Sequence, residues 1–160
     1  MSNFNIEHRT RPIILVSSTS WTKDEDFSIL LNAMKQYESK ACMPSSRTNH
    51  YFYPQLLLII TGKGPEKEFY LRQIRREQHK WKYITIRTAW LEAEDYPRLL
   101  AAADLGICLH YSSSGVDLPM KVVDMFGAGL PVLAINFKSI NELVQHGKQG
   151  YVFDDADQLA

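Results

Sequence analysis

An α/β fold, with a doubly wound parallel sheet of about six strands, follows from three features of the sequence. Short apolar runs bounded by turn residues alternate with stretches of helical periodicity. The runs are apolar at consecutive positions, as strands covered on both faces require. The length of 160 residues, 45% of them hydrophobic, also suits one domain with a real core, since domains most often run to roughly 100–150 residues.

The first strand is predicted over 13–17, followed by a helix over about 25–38 in which Phe27, Leu30, Leu31 and Met34 recur at helical spacing. Residues 39–54 are polar and carry two prolines, and read as an exposed insertion. A second strand, 55–61, runs into Gly62-Lys63-Gly64-Pro65, and Pro65 suits the first turn of a helix reaching about Lys80. The third strand spans 83–87. Glu92, Glu94 and Asp95 then place carboxylates at a helix start, where the macrodipole favours them. Strands over 105–110, 131–135 and 150–153 complete the sheet, with helices beginning at Pro119 and about Ser139 between them. The last residues, 154–160, resemble the start of a further helix, so a natural chain longer at both ends is expected.

Composition narrows the function classes. Eighteen basic residues balance 18 acidic ones, leaving no net field for nucleic acid or an anionic membrane, so a bound anion must be held locally. Cys42 and Cys108 lack metal-site spacing and form no disulfide framework, which fits a reducing, cytosol-facing environment. The longest apolar runs, 56–60 and 130–135, are far shorter than the ~20 residues of a membrane helix. The N-terminus has no signal-peptide pattern.

Ligands of open parallel sheets bind beyond the carboxyl ends of the strands, which directs attention to the loops after strands one, two and four. After His110 come Ser112, Ser113, Ser114, Gly115, Val116, Asp117 and Leu118, and then Pro119 opens a helix. Small residues there let backbone N–H groups converge on a diphosphate, and the helix N-terminus adds positive potential. Lys121 and Asp124, three positions apart, share a face of that helix, with Val122, Val123, Met125 and Phe126 assigned to the core. A lysine can neutralise phosphate and a carboxylate can accept from both ribose hydroxyls. An ordinary capped helix, with Asp117 near its N-cap and Lys121 and Asp124 as a surface pair, is the competing reading.

The other motifs are weaker. Gly62-Lys63-Gly64 lacks a third glycine and reads as a tight turn. Asp24-Glu25-Asp26 and Asp155-Ala156-Asp157 have the DxD form but sit at helix starts, where carboxylates cap N–H groups, so no metal site is assigned. None of the five histidines has zinc-ligand spacing, although His110 falls on the rim where ligands of such sheets sit.

Four segments carry a family resemblance: Val-Ser-Ser-Thr-Ser-Trp at 16–21, Thr-Gly-Lys-Gly-Pro at 61–65, Trp-Leu-Glu-Ala-Glu-Asp-Tyr-Pro at 90–97 and Ser-Ser-Ser-Gly-Val-Asp-Leu-Pro-Met-Lys-Val-Val-Asp-Met-Phe-Gly at 112–127. Together they resemble the chitobiosyldiphosphodolichol beta-mannosyltransferases, over about 12–159. The resemblance implies the Rossmann-like, C-terminal, donor-binding half of a GT-B glycosyltransferase. It implies transfer of mannose from GDP-mannose to dolichyl-diphosphate-linked chitobiose at the cytosolic face of the endoplasmic reticulum membrane. No cofactor is implied, and the membrane anchor is expected in an N-terminal domain that this chain does not match.

By position, Asp124 falls on the acidic residue that related enzymes use for the donor ribose, and Ser113, Ser114 and Gly115 on the loop beside sugar and diphosphate. Related retaining enzymes keep two glutamates eight positions apart; here Val116 takes the first place and Asp117 follows one residue late. Their stereochemistry therefore does not transfer. In place of their phosphate-gripping arginine stand Ser17, Ser18, Thr19 and Ser20, leaving Lys23, Lys63 and Lys121 as candidate counter-charges. The guanine is expected against Ala89-Trp90-Leu91, where Trp90 could stack or serve the core. The general base of an inverting transfer is expected outside this chain. The alternative is a short, non-catalytic paralogue acting as an interaction module.

Overall fold

A computed structural model describes residues 11–43, 53–112 and 114–160. The strands are β1 (Ile13–Ser18), β2 (Leu56–Thr61), β3 (Ile84–Ala89), β4 (Leu105–Cys108), β5 (Val132–Ile135) and β6 (Gly150–Phe153). Between them lie helices α1 (Phe27–Cys42), α2 (Lys67–Gln78), α3 (Tyr96–Ala102) and α4 (Met120–Gly127), a 3₁₀ turn (Ile140–Glu142), and finally α5 (Ala156–Leu159).

All pairings are parallel and the sheet order is β3-β2-β1-β4-β5-β6. The chain winds outward from β1 in one direction, returns to pair β4 with β1, and winds outward in the other. That reversal leaves a crevice at the carboxyl ends of β1 and β4, the switch point of a doubly wound sheet.

Two apolar layers cover the sheet. Leu15, Leu58, Ile60, Ile84 and Ile86 face Phe27, Leu30 and Leu31 of α1 and Tyr70 and Ile74 of α2. Val16, Cys108, Val132 and Ala134 face the other way, against Leu100 of α3, Val122 and Met125 of α4, and Ile140. Burial on both faces explains why the runs of β1, β2, β4 and β5 are continuous, while the edge strand β3 alternates buried and exposed positions.

Helix α1 corrects the expected start of the insertion. It continues through residues 39–42, because Ala41 is buried and the buried carboxylate of Glu38 accepts the backbone N–H groups of Lys82 (2.6 Å) and Tyr83 (3.0 Å). Residues 44–52 of the expected insertion lie outside the described residues. Its far end docks back, with the Tyr37 hydroxyl donating to the Pro54 carbonyl at 2.8 Å and Tyr53 meeting the Tyr37 ring edge-on at 5.5 Å.

A second correction falls after β5. The helix expected from about Ser139 is only the three-residue 3₁₀ turn, since Gly147 takes a positive φ of 80° and the chain turns directly into β6. Strand β4 also ends at Cys108, the last residue paired with β5, so His110 follows the strand rather than ending it. On α4, Val123 is 42% exposed instead of buried; only Val122 and Met125 of the expected core set are fully inside.

Candidate functional site

The loops after β1 and β2 are locked to each other through backbone contact. Gly62, at φ 116°, lies so close to the Thr19 carbonyl that an added Cβ would stand 1.8 Å from its oxygen. At Gly64 the corresponding approach to the Ser20 carbonyl is 1.7 Å. The Gly62-Lys63-Gly64 motif is thus a turn, as its sequence indicates, and the glycines serve a loop-to-loop fit rather than the turn alone. The Thr19 N–H donates to Thr61 (3.0 Å) and the Glu66 N–H to Trp21 (3.0 Å), completing the seam. Trp21 holds φ at 51° with its ring packed against Phe27 (4.7 Å) and Tyr70 (6.2 Å), so core packing sustains an unfavourable backbone angle.

This seam forms one wall of a cleft of about 280 Å³ at the carboxyl ends of β1, β2 and β3. Ser18, Thr19, Thr61 and Gly62 line its floor; Trp90, Glu92 and Tyr96 line one side; Lys121 and Asp124 of α4 line the other. The floor is ordered by hydroxyls. Thr61 donates to Ser18 at 3.1 Å, and Ser18 and Tyr96 share a 2.8 Å hydrogen bond. Burial, with Asp124 adding to it, pushes the Tyr96 phenol above its ordinary pKa and so keeps it a neutral hydrogen-bonding group.

Lys121 does not pair with Asp124. Its ammonium bonds to the carboxylate of Glu25, which is only 2% exposed and also accepts the Thr19 hydroxyl and the Ser20 N–H. Lys121 additionally reaches the Ser20 hydroxyl at 3.4 Å. His110 stands nearby, its Nδ1 4.0 Å from Glu25 and 3.9 Å from Asp24. A second, smaller cleft of about 250 Å³ opens there, lined by Ser20, Asp24, His110, Pro119 and Lys121, so the Lys121 side chain stands between the two. Asp24, hydrogen-bonded to Thr22 and attracted by His110 and Lys121, is held below the usual carboxylate range.

Glu25 is the residue that sequence reasoning missed. Within Asp24-Glu25-Asp26 only Asp26 caps α1, accepting the Ser28 N–H at 2.9 Å. Glu25 turns inward; the only linear hint is its position between two buried aromatics, Trp21 and Phe27. Asp155 likewise caps α5, accepting from Asp157 and Gln158.

The remaining candidates are dispersed around this core. Trp90 is 57% exposed and not part of the apolar interior; the Lys63 ammonium sits 3.7 Å over its ring. Ser114 and Asp117 form a self-contained turn: the Ser114 hydroxyl donates to Asp117 (3.0 Å) and the Asp117 N–H to Ser112 Oγ (3.2 Å). Asp117 therefore does not cap α4, whose N-cap is Pro119 without a side-chain bond. Gly115, at φ 72°, lies over Lys138, and its carbonyl accepts the Ser139 hydroxyl. Ser113 lies outside the described residues. The structure thus gathers Trp90, Lys121 and Asp124 into one cleft, puts His110 beside it, and stacks the 114–117 turn against the loop after β5.

The sequence model described as Glycosyl transferases group 1 matches residues 11–160. This chain belongs to the group 1 glycosyl transferases. Among relatives of this glycosyl transferase, the chitobiosyldiphosphodolichol beta-mannosyltransferases of Mus musculus and Homo sapiens are 57% and 56% identical to it, over 94% and 95% of the chain. The UDP-glycosyltransferase TURAN of Arabidopsis thaliana is 52% identical over 95%. The chain spans about a third of the length of these relatives: 30%, 31% and 34%. Solved structures support the glycosyl transferase fold at low identity. The pneumococcal O-GlcNAc transferase GtfA with UDP and GlcNAc matches at TM-score 0.65 and 17% identity, covering 92% of this chain and 26% of that one. Anabaena Alr3699/HepE with UDP matches at 0.66 and 22%, covering 92% and 37%.

Proposed function

We propose that this domain binds GDP-mannose for a β-mannosyltransferase that places the first mannose on dolichyl-diphosphate-linked chitobiose. The observation that carries the reading is the convergence of Asp124, Lys121 and Trp90 on one cleft at the carboxyl ends of the strands, beside the switch point of the sheet. Asp124 accepts hydrogen bonds from the ribose hydroxyls, and Trp90 offers an aromatic face to the guanine. The diphosphate lies toward the start of α4, where no side chain caps the first N–H groups and the helix dipole favours an anion. Ser113, Ser114 and Gly115 stand beside the sugar.

Lys121 contributes less bare charge than its position first suggests, because Glu25 already balances it. Its role is to donate hydrogen bonds to the diphosphate from a fixed position, with Lys63 and Lys23 supplying further positive charge as GDP departs. The base that takes the acceptor proton, the acceptor contacts and the membrane anchor belong to parts of the enzyme outside this chain. The reading places the reaction at the cytosolic face of the endoplasmic reticulum.

Calorimetric titration with GDP, with UDP as comparator, tests the assignment. GDP should bind more tightly than UDP, protect 112–124 from hydrogen exchange, and lose affinity in Asp124→Ala. Preferential UDP binding would instead favour a uridine donor, the reading suggested by the Arabidopsis relative's name.

A further inference from the structure

The chain's net charge of zero conceals a strongly basic face on the outer side of α2. Residues 69–82 hold five Lys and Arg residues and one Glu, so this short stretch carries +4 while the rest of the chain carries the compensating −4. Arg72, Arg75 and Arg76, with His79 capping the helix, recur at i, i+3, i+4 and i+7, which puts them on one stripe. All four are exposed, as are Lys80 and Lys82 beyond the helix end. The opposite side of α2 is the buried one, where Tyr70 and Ile74 pack under the sheet.

Local carboxylates do not neutralise the stripe. Glu77 bonds Lys80 (3.8 Å) and Lys35 of α1 (3.9 Å), while among the described residues Arg72, Arg75, Arg76 and Lys82 form no ion pair. At the amino-terminal end of the same stripe, three and seven residues before Arg72 and Arg76, Phe69 is 52% exposed, its ring meeting Tyr70 edge-on at 5.1 Å. Basic side chains flanking an exposed aromatic ring are suited to a bilayer interface, where the cations meet anionic headgroups and the ring enters the headgroup boundary.

We propose that this face of α2 docks on an anionic phospholipid surface. The proposal rests on the reading that the acceptor is lipid-linked, since only then must the cleft be held beside a bilayer. Charge complementarity selects the occupant: the stripe offers several cations without an ion pair among the described residues, in a row along one helix face, which suits a surface that presents many anions at once. The same helix begins next to Gly62, whose carbonyl accepts the Lys67 ammonium at 3.2 Å, so docking α2 would fix the donor cleft relative to the membrane.

Vesicle co-flotation tests this directly. The chain should bind vesicles of phosphatidylcholine with phosphatidylserine, not phosphatidylcholine alone, and binding should fall about tenfold or more between low and physiological salt. Arg72→Glu/Arg75→Glu/Arg76→Glu should abolish flotation while GDP affinity and thermal unfolding stay unchanged. Lys138→Glu/Lys148→Glu, an equally exposed control on the other half of the chain, should bind as the parent does. Equal flotation on both vesicle types, retention by the triple variant, or loss in the control variant would overturn the proposal, as would tighter binding to single-stranded RNA than to the anionic vesicles. Loss of GDP binding with intact flotation would instead sink the donor-site reading alone.

Discussion

Lys121, in the first turn of α4, and Glu25, in the loop after β1, form an ion pair across 96 positions of sequence. The pair joins the two halves of the winding at the point where the cleft opens. It is asymmetric: Glu25 is almost fully enclosed, whereas the Lys121 side chain keeps 27% of its surface exposed. Removing the lysine leaves a buried carboxylate with hydrogen bonds from Thr19 and Ser20 and, in place of the contacting ammonium, only the His110 imidazole at 4.0 Å. Removing the carboxylate leaves a cation that can turn to water. Lys121→Met should therefore destabilise by about 3 kcal/mol and Glu25→Gln by about 1–2 kcal/mol, and the double variant by less than their sum. Urea unfolding of the three variants measures this, and strict additivity would show that the pair is not coupled.

The seam between the first two loops makes the two glycines of Gly62-Lys63-Gly64 irreplaceable for different reasons of degree. Gly62→Ala combines a φ of 116° with a clash on the Thr19 carbonyl, and Gly64→Ala meets the Ser20 carbonyl and the Trp21 Cβ. Both contacts involve backbone, which cannot swing aside, so each substitution should cost at least about 2–3 kcal/mol. Gly127→Ala is the control. Nothing lies within 4 Å of its added Cβ, and the position is helical, so it should be neutral or stabilise by up to about 1 kcal/mol. Thermal melts that rank Gly127→Ala with the other two would contradict this account.

The middle of the sheet was legible because β1, β2, β4 and β5 are covered on both sides and so write their positions as runs such as Leu56 to Ile60, whereas the edge strand β3 alternates buried Ile84 and Ile86 with exposed Thr85 and Arg87. Element ends were less so. The last turn of α1 is polar in sequence and is held by Glu38 reaching the backbone before β3, a contact no local pattern encodes. Lys121 and Asp124 were legible as cleft residues since three-residue spacing on a helix is local information. Glu25 was not, because its counter-charge Lys121, 96 positions away, becomes a neighbour only when β4 pairs with β1. The neutral overall charge likewise gave no sign of the basic face of α2, which needs the helix's buried side to be known.

Cys108 and Cys42 should differ in reactivity. Burial pushes the Cys108 thiol up to about 11 from an ordinary 9.0, so at pH 8 it is almost wholly protonated and screened by the core. Cys42 is exposed and should be alkylated by iodoacetamide first, slowed because partial desolvation, and after it Glu38, raises its pKa. Because the folded-state pKa of Cys108 is the higher one, the stability that it supplies is complete below pH 9 and is lost as pH climbs toward 11, where the unfolded chain ionises and the folded chain does not. That loss amounts to about 3 kcal/mol by the upper end. Denaturation midpoints measured from pH 8 to 11 should fall less steeply in Cys108→Ala than in the parent; parallel curves would assign the alkaline loss to other groups.

Trp90 would give the proposed donor site an optical signal. Trp21 is 1% exposed, while Trp90 is 57% exposed at the cleft edge with the Lys63 ammonium over its ring. A purine stacked on Trp90 must either displace Lys63 or use the ring's other side, and both change the environment of the most exposed indole. GDP should therefore quench the tryptophan emission, and Trp90→Phe should abolish most of the quenching while keeping most of the affinity. Trp90→Ala should weaken GDP binding by about tenfold or more, in line with ~1–3 kcal/mol for base–aromatic stacking. Lys63→Ala separates the two geometries: if Lys63 only shields the ring, its removal leaves GDP affinity equal or tighter, whereas weaker binding means that the ammonium also meets the diphosphate. Full quenching in Trp90→Phe would place the guanine elsewhere, against Tyr96 or the 114–117 turn.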